Sequence, residues 1–122
     1  MRSHVLVWGV VIALALAGCA AATGYKFTAD GGPYAKRTEA DKIAVFDSAN
    51  PATKPFVMIG RIDGGYTSNT VLVQLKDVLP ELQKQASEGG GDAIVVKQSG
   101  YTGAPSAGKA FNVIADVIRW QP

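Results

Sequence analysis

The residues with the clearest chemical potential are Leu16-Ala17-Gly18-Cys19, near the start of the 122-residue sequence. Cys19 is the only cysteine, and its thiolate is a nucleophile that can be capped with a diacylglycerol thioether. The small side chains of Ala17 and Gly18 suit the narrow cleft of a signal peptidase. These residue types are compatible with cleavage before Cys19 and with lipid on its sulfur.

The residues before this tetrapeptide have the composition of a secretory leader. Arg2 supplies a positive charge, and residues 5–15 form an uninterrupted apolar run. That run is shorter than the roughly 20 apolar residues that span a bilayer, and it fits the apolar region of a signal peptide, about 7–15 residues. The segment resembles the signal peptide and lipobox of bacterial lipoproteins, and this resemblance implies cleavage before Cys19 and lipid on its sulfur. The alternatives are an ordinary secretory leader with an incidental cysteine and an uncleaved apolar anchor.

Lipid on Cys19 would hold the protein at a bacterial membrane. Stable anchoring takes more than one acyl chain, and a diacylglycerol with an N-acyl group meets that requirement. Ala20 follows the cysteine, where an aspartate would resemble an inner-membrane retention signal. The sequence therefore predicts the outer membrane, with the chain facing the periplasm, in preference to the inner membrane.

The composition of residues 19–122 excludes several classes of function. The only histidine, His4, leaves with the leader, so Ser-His and Cys-His catalysis and zinc sites built on histidine and cysteine are excluded. Removing Arg2 leaves 11 of the 12 basic residues against 10 acidic ones, and no basic run indicates a nucleic-acid partner. We expect no enzymatic activity, no cofactor and no metal.

We expect three segments: a signal peptide at residues 1–18, an acylated N-terminus and flexible tether at 19–39, and one small domain at 40–122. The tether contains small residues, Gly31-Gly32-Pro33 and no apolar period. Its three aromatic side chains either pack on the edge of the domain, lie at lipid headgroups or dock a partner. They are Tyr25, Phe27 and Tyr34.

The domain contains four runs with the composition of β-strands. They cover residues 42–46, 56–62, 92–98 and 110–120. The second run is apolar on both faces until Arg61, which predicts a central strand, and Asp63-Gly64-Gly65 is expected to end it. Residues 99–109 are expected to form a flexible loop between the last two strands.

One helix is predicted between the second and third strands. Leucine, valine and alanine follow the i, i+3, i+4 spacing of an amphipathic helix from Leu75 to Ala86. Pro80 interrupts this pattern, so the helix either kinks there or begins near Leu79. Residues 81–87 are predicted to be helical, whereas residues 70–77 stay open. Gly89-Gly90-Gly91 predicts a left-handed C-terminal cap.

The chain order β-β-α-β-β predicts a two-layer α+β fold, with a roughly four-stranded mixed sheet covered on one face by one main helix. Residues 56–98 have the pattern of a strand-helix-strand crossover, which is expected to be right-handed.

The predicted domain offers few candidate binding residues. Tyr101, Arg61 and Lys97 are the candidates for contact with a partner. Together with Lys54 and Arg119, the last two form a candidate cationic strip, for which solvated charges at strand edges are the alternative.

Two further patterns have simple structural interpretations. Residues 103–109 match the spacing of a phosphate-binding loop, but Ala110 replaces the hydroxyl residue and a strand follows, so a hairpin connection is predicted. The carboxylates of Asp63, Asp92 and Asp116 would have to meet in space to bind a cation, and they lack the spacing of a calcium loop.

The sequence ASEGGGDAIVV at residues 86–96 is similar to the helix-to-strand junction of small bacterial envelope proteins, including YbjQ-like domains and Rcs stress-sensing lipoproteins. KPFVMIGRI at residues 54–62 resembles the strand before that helix. The resemblance implies that Ala93 packs under the helix and that Gly60 lets the helix approach the sheet. One extra glycine precedes Asp92, and the disulfide cysteines of the stress sensors are absent, so redox-locked sensing is not implied.

These patterns together predict a non-enzymatic, lipid-anchored envelope lipoprotein that faces the periplasm. It would act as a binding, adaptor or stress-sensing module, with an envelope protein as partner. The alternative is a small-ligand-binding accessory protein of the periplasm, with its pocket between helix and sheet.

Overall fold

A computed structural model describes residues 24–67, 73–102 and 110–122. The predicted leader, the predicted lipidation tetrapeptide at residues 16–19 and the 103–109 motif lie outside the described residues. The strands are β1 (Gly24–Ala29), β2 (Ala44–Phe46), β3 (Phe56–Thr67), β4 (Ala93–Thr102) and β5 (Ala110–Trp120). Helix α1 spans Leu75–Glu88, and a short 3-10 helix, Ala40–Lys42, precedes β2.

The described strands form one mixed sheet in the order β1-β3-β5-β4-β2. β1 pairs antiparallel with β3, β3 with β5, and β5 with β4, whereas β2 runs parallel to β4. The α+β class with one main helix is confirmed. The expectation of roughly four strands in the order β-β-α-β-β is wrong, because a further strand precedes the others in the chain.

The additional strand, β1, lies within the segment that we expected to be a tether. Its side chains alternate: Tyr25 and Phe27 pack against the core beneath α1, while Lys26 and Thr28 are exposed. The Tyr25 hydroxyl donates a hydrogen bond to the Phe111 carbonyl oxygen at 2.7 Å. Tyr25 and Phe27 therefore pack on the domain edge, and the Tyr34 ring lies against Arg119 of β5. The alternation in β1 was too short to read as a period from sequence.

Two glycines make room for the ring of Phe27. A Cβ atom at Gly60 would collide with this ring, and one at Gly89 would lie 2.7 Å from its Cε2 atom. Gly60 thus admits the Phe27 ring of β1, which is a different role from the direct helix approach that the resemblance implied.

β3 continues through Asp63-Gly64-Gly65, where the sequence predicted its end. Gly64 has φ +145°, and a Cβ atom there would lie 2.9 Å from the Cα atom of Tyr25. These glycines therefore permit close pairing with β1 and do not form a turn. As predicted, β3 is an internal strand, although β1 pairs only with residues 60–65.

An irregularity in the pairing of β3 with β5 changes which side chains face the core. Met58 pairs with Ile118 and Gly60 with Val117, so Ile59 is an extra residue in β3. Ile59 and Ile62 are both fully buried. A simple alternation would put Ile62 on the same face as Met58, and the bulge explains why it does not.

Helix α1 begins at Leu75 with a capping box, in which the Asp77 carboxylate accepts a hydrogen bond from the Gln74 backbone N–H at 2.8 Å. The helix includes Pro80, which is exposed. The prediction of helix over residues 81–87 is confirmed. Residues 75–77 are also helical, and residues 70–72 lie outside the described residues.

The glycine triplet ends the helix as predicted. Gly90 has φ +89°, its N–H donates to the Ser87 carbonyl at 3.0 Å, and the Gly91 N–H donates to the Ala86 carbonyl at 2.8 Å. This pair of bonds defines a Schellman cap, which satisfies carbonyl groups that the last turn would otherwise leave unpaired.

The main core lies between α1 and one face of the sheet, which we call the helix face. It is built from buried aliphatic side chains of the helix and the strands, including Leu82, Ile62, Ile94, Ala115 and Val117. Ala93 pairs with Ile118 and is not part of this cluster, although both are fully buried. The implied packing of Ala93 under the helix is therefore wrong, because the neighbouring Ile94 takes that place.

The bounds of β5 agree with the prediction, whereas those of β4 and β2 differ from it. β5 has the predicted bounds. β4 extends through residues 99–102, which were expected to be loop, because they pair with β5. The first predicted strand is shortened to β2, since residues 40–42 form the 3-10 helix.

The packing of β1 predicts the effect of Phe27→Ala. We expect the free energy of unfolding to fall by about 2 kcal/mol, somewhat less than for a fully buried phenylalanine, because the ring is only partly buried. Urea denaturation of the purified chain measures this change. Lys26→Ala, on the exposed side of the same strand, is the control and should change stability by less than about 0.5 kcal/mol. Equal stability of the two variants would show that β1 does not contribute to the fold.

Candidate functional site

Tyr101, a predicted binding residue, lies in β4 and not in a loop. Its hydroxyl donates a hydrogen bond to the Val73 carbonyl oxygen at 2.5 Å, and its ring meets Phe111 edge-on at 5.2 Å. The hydrogen bond joins the end of β4 to Val73, which lies two residues before the start of α1. The side chain nevertheless remains 41% exposed, so it contributes both to packing and to the surface.

Arg61 and Lys97 lie on other parts of the sheet. Arg61 is paired with Asp116 across β3 and β5, with Nε 3.4 Å from the carboxylate oxygen. Lys97 is exposed at a second irregularity, between Val96 and Gln98. Tyr101 shares the helix face with its partner Phe111. The structure therefore does not bring the three predicted residues into one site.

The predicted cationic strip is not formed either. Lys54 lies over the ring of Trp120, with 5.2 Å from Nζ to the centroid. Arg119 lies over the ring of Tyr34 at 5.0 Å and donates a hydrogen bond to the Gly90 carbonyl at 3.1 Å. Lys54, Arg61 and Arg119 each have their own local partner, which favours the alternative of separate edge charges.

Three aspartates were considered as cation ligands, and the structure separates them. Asp116 pairs with Arg61, Asp63 lies beside Ile114 in the β3–β5 register, and Asp92 is buried where β4 begins. Among residues 24–67, 73–102 and 110–122, no three histidine, cysteine or acidic side chains are grouped as a metal site.

Asp92 is the centre of an electrostatic cluster that sequence reasoning missed. Its side chain is 6% exposed and accepts hydrogen bonds from Arg37, from the Thr38 hydroxyl at 2.6 Å and from the Trp120 backbone N–H at 2.8 Å. The Arg37 Nε atom lies 2.9 Å from one carboxylate oxygen. We call these four residues the Asp92 clamp. Arg37 and Thr38 were assigned to the tether, so no signal in the sequence joined them to Asp92.

The Asp92 clamp keeps its carboxylate ionised. Hydrogen bonding from Arg37 is the main cause that holds the pKa of Asp92 well below its usual range, and it outweighs the opposing effect of burial. The same bond raises the pKa of Arg37. The hydrogen bonds of this carboxylate tie residues 37–38 to the start of β4 and the end of β5. Elsewhere, burial raises the pKa of Tyr25 to about 12.

The most prominent surface feature is a run of three exposed apolar residues at the start of β3. Phe56, Val57 and Met58 are 41%, 41% and 42% exposed. β1 does not extend far enough to pair with them. We call these three residues the apolar strip. Because successive side chains of a strand alternate between the two faces, Phe56 and Met58 are exposed on one face of the sheet and Val57 on the other. Exposed apolar side chains at a sheet margin are characteristic of a surface that another protein covers.

The apolar strip continues into an aromatic cluster. Phe56 pairs with Trp120 in the sheet register, and the Trp120 ring meets Phe46 edge-on at 5.8 Å. The connection at residues 47–55 joins β2 to β3, which are separated by β4 and β5, and it brings Lys54 over Trp120. This part of the sheet therefore offers rigid aromatic side chains beside the exposed strip.

Shallow depressions occur on the sheet face that α1 does not cover. One of about 270 Å³ is bounded by Asp47, Pro51 and Phe56, and one of about 480 Å³ by Gln98, Asn112 and Ile114. A pocket between helix and sheet was expected for a small-ligand-binding protein. In the part of the chain that the structure describes, side chains such as Leu82 and Ile94 fill that space.

Comparison with known proteins gives no relative for this chain. No protein-family model matches the sequence, no curated protein matches it, and no solved structure matches the fold.

The described part of the chain contains no helix with the length and apolar character needed to cross a membrane.

The Asp92 clamp predicts a specific dependence of stability on pH. Asp92→Asn should lower the free energy of unfolding by about 2 kcal/mol at pH 7, below the range for a fully buried pair because Arg37 is 42% exposed. The folded-state pKa is depressed, so this stabilisation is present above the unfolded value of about 3.9 and is lost as pH falls below it. The difference between wild type and variant should therefore shrink between pH 5 and pH 2.

Urea denaturation across this pH range measures the effect, and Asp41→Asn, at an exposed aspartate, is the matched control. A stability difference that stays constant down to pH 2 would contradict the assigned ion pair.

Proposed function

We propose that this protein is a lipid-anchored, periplasm-facing lipoprotein of the bacterial outer membrane that acts as a non-enzymatic adaptor. The tetrapeptide ending at Cys19, directly after an apolar leader, supports the anchoring. The apolar strip is the observation that carries the adaptor function, because the exposed side chains of Phe56 and Met58 lie side by side on one face of a strand margin that β1 leaves unpaired. Such apolar surface is costly in water unless a partner covers it.

The chemistry of the strip indicates the kind of partner. Phe56 and Met58 present an aromatic and an adaptable thioether side chain, and both types are enriched at protein interfaces. The strip lies on β3 beyond the last residue that β1 pairs with. A partner strand or loop with apolar side chains would therefore fit there, and an envelope protein is the proposed partner.

Kinship with YbjQ-like domains and stress-sensing lipoproteins is also a proposal, and it rests on residues 54–62 and 86–96 alone. A stress-sensing role belongs to the same proposal. The small-ligand alternative would have to use the depressions opposite α1, since the space beneath the helix is filled by the core.

The anchoring is tested by mass spectrometry of the membrane-extracted protein. We expect an N-terminal peptide that begins at Cys19 and carries acyl chains. Cys19→Ala should remove both the lipid and the cleavage, because the thioether cannot form. A chain that still carries Met1, or one cut elsewhere without lipid, would refute the lipoprotein assignment.

The adaptor function is tested by photo-crosslinking in intact cells. A benzoylphenylalanine at Phe56 should give a discrete protein adduct, whereas the same group at Lys84, exposed on α1, should not. Met58→Asp, on the same face of β3 as Phe56, should reduce the Phe56 adduct about tenfold, because a charge would have to be buried in the interface. Equal adducts at both positions, or an adduct indifferent to Met58→Asp, would show that the apolar strip is not the docking surface.

A further inference from the structure

We infer that the end of the sheet where β1 begins faces the lipid bilayer that holds Cys19, so that the apolar strip points away from the membrane. This inference rests on the proposed acylation of Cys19. It adds an interaction surface, whose partner is the phospholipid headgroup layer of the leaflet that carries the anchor.

The first support is the short length of chain between lipid and sheet. Only Ala20, Ala21, Ala22 and Thr23 separate Cys19 from Gly24, the first residue of β1. Five Cα–Cα steps span at most about 18 Å. A flexible tether that reached residue 39 would let the domain adopt any orientation relative to its anchor. A link of four residues instead keeps Gly24 close to the headgroups.

The second support is that the sheet topology places two tyrosines at the same end of the sheet as Gly24. Gly24 pairs with Gly65, and the next residue of β3, Tyr66, pairs with Phe111 of β5. Tyr101 pairs with the same Phe111 from the other side. Tyr66 and Tyr101 therefore flank one residue at this margin of the sheet, which we call the tyrosine end.

The third support is the chemistry of these two side chains. Tyr66 is 44% and Tyr101 41% exposed. Tyrosine combines an apolar ring with a polar hydroxyl, and it is enriched where proteins meet the membrane–water interface. The start of α1 lies at the same end, as shown by the hydrogen bond from Tyr101 to Val73. Lys76 in the first turn of α1 is exposed there.

The opposite end of the sheet lies far from the anchor. β5 runs from Ala110, at the tyrosine end, to Trp120, which pairs with Phe56 of the apolar strip. Ten residue steps along a strand correspond to roughly 33 Å, nearly twice the reach of the link from Cys19. An upright domain would thus present the apolar strip to the periplasm and the tyrosine end to lipid.

Fluorescence quenching in vesicles tests this orientation on the full acylated chain. Because the thioether blocks Cys19, an introduced cysteine is the only thiol that a fluorophore can label. Lys76→Cys reports the tyrosine end and Gln121→Cys reports the opposite end, both at exposed positions. The vesicles contain phosphatidylethanolamine, phosphatidylglycerol and a lipid with a spin label on its headgroup.

We expect the headgroup spin label to quench the probe at position 76 about threefold or more strongly than the probe at position 121, because about 33 Å separates the two ends. Ser99→Cys, exposed near the end of β4, replaces Lys76→Cys if that variant does not fold. Equal quenching at both ends, stronger quenching at position 121, or no quenching at either position on a vesicle-bound chain would overturn the orientation.

Flotation and mass spectrometry of the same samples separate the two possible failures. A chain that carries lipid on Cys19 and floats with the vesicles, but shows the wrong quenching pattern, refutes the orientation and leaves the anchoring intact. A chain without lipid on Cys19 refutes both, and it is recognised by a second labelled thiol and by failure to float.

Discussion

Close approach of β1 to β3 is the constraint on which the rest of this structure depends, and it is possible because Gly60, Gly64 and Gly89 lack side chains. Gly64 lets the backbones of the two strands meet, and the other two admit the ring of Phe27. Side chains at these positions would push β1 off the sheet. All of residues 20–39 would then separate Cys19 from the sheet. With β1 docked, only four residues lie between Cys19 and the sheet.

The Asp92 clamp completes what β1 begins. After β1 the chain must travel along the end of the sheet before it enters β2 at the far edge. Arg37 and Thr38 bind Asp92 on this path, and the Ser87 hydroxyl donates to the Thr38 carbonyl oxygen at 2.5 Å. The start of β4 and the end of β5 thus meet at one carboxylate, and the helix C-terminus is joined to them through Thr38.

Much of the fold could be predicted from local patterns, and the failures share one physical cause. The helix, its Schellman cap and the bounds of β5 follow from amphipathic spacing, a glycine triplet and a β-branched run, which are local signals. The fifth strand, the continuation of β3 through Gly64 and the Asp92 clamp depend on partners distant in sequence. Arg61 and Tyr101 were chosen as candidate binding residues from their side-chain types alone. In the structure Arg61 pairs with Asp116, and Tyr101 donates a hydrogen bond to Val73.

The two ends of the sheet differ in the side chains that they expose, and this difference would link the proposed anchoring to the proposed binding. Amphipathic tyrosines lie at the end where β1 begins, whereas the apolar strip, which has no hydroxyl, lies at the other end. An apolar strip near the bilayer would compete for lipid and be hidden from proteins. Because β3 runs the full length of the sheet, the same strand carries Tyr66 at one end and Phe56 at the other. In the proposed orientation, the length of that strand would set the height above the membrane at which a partner binds.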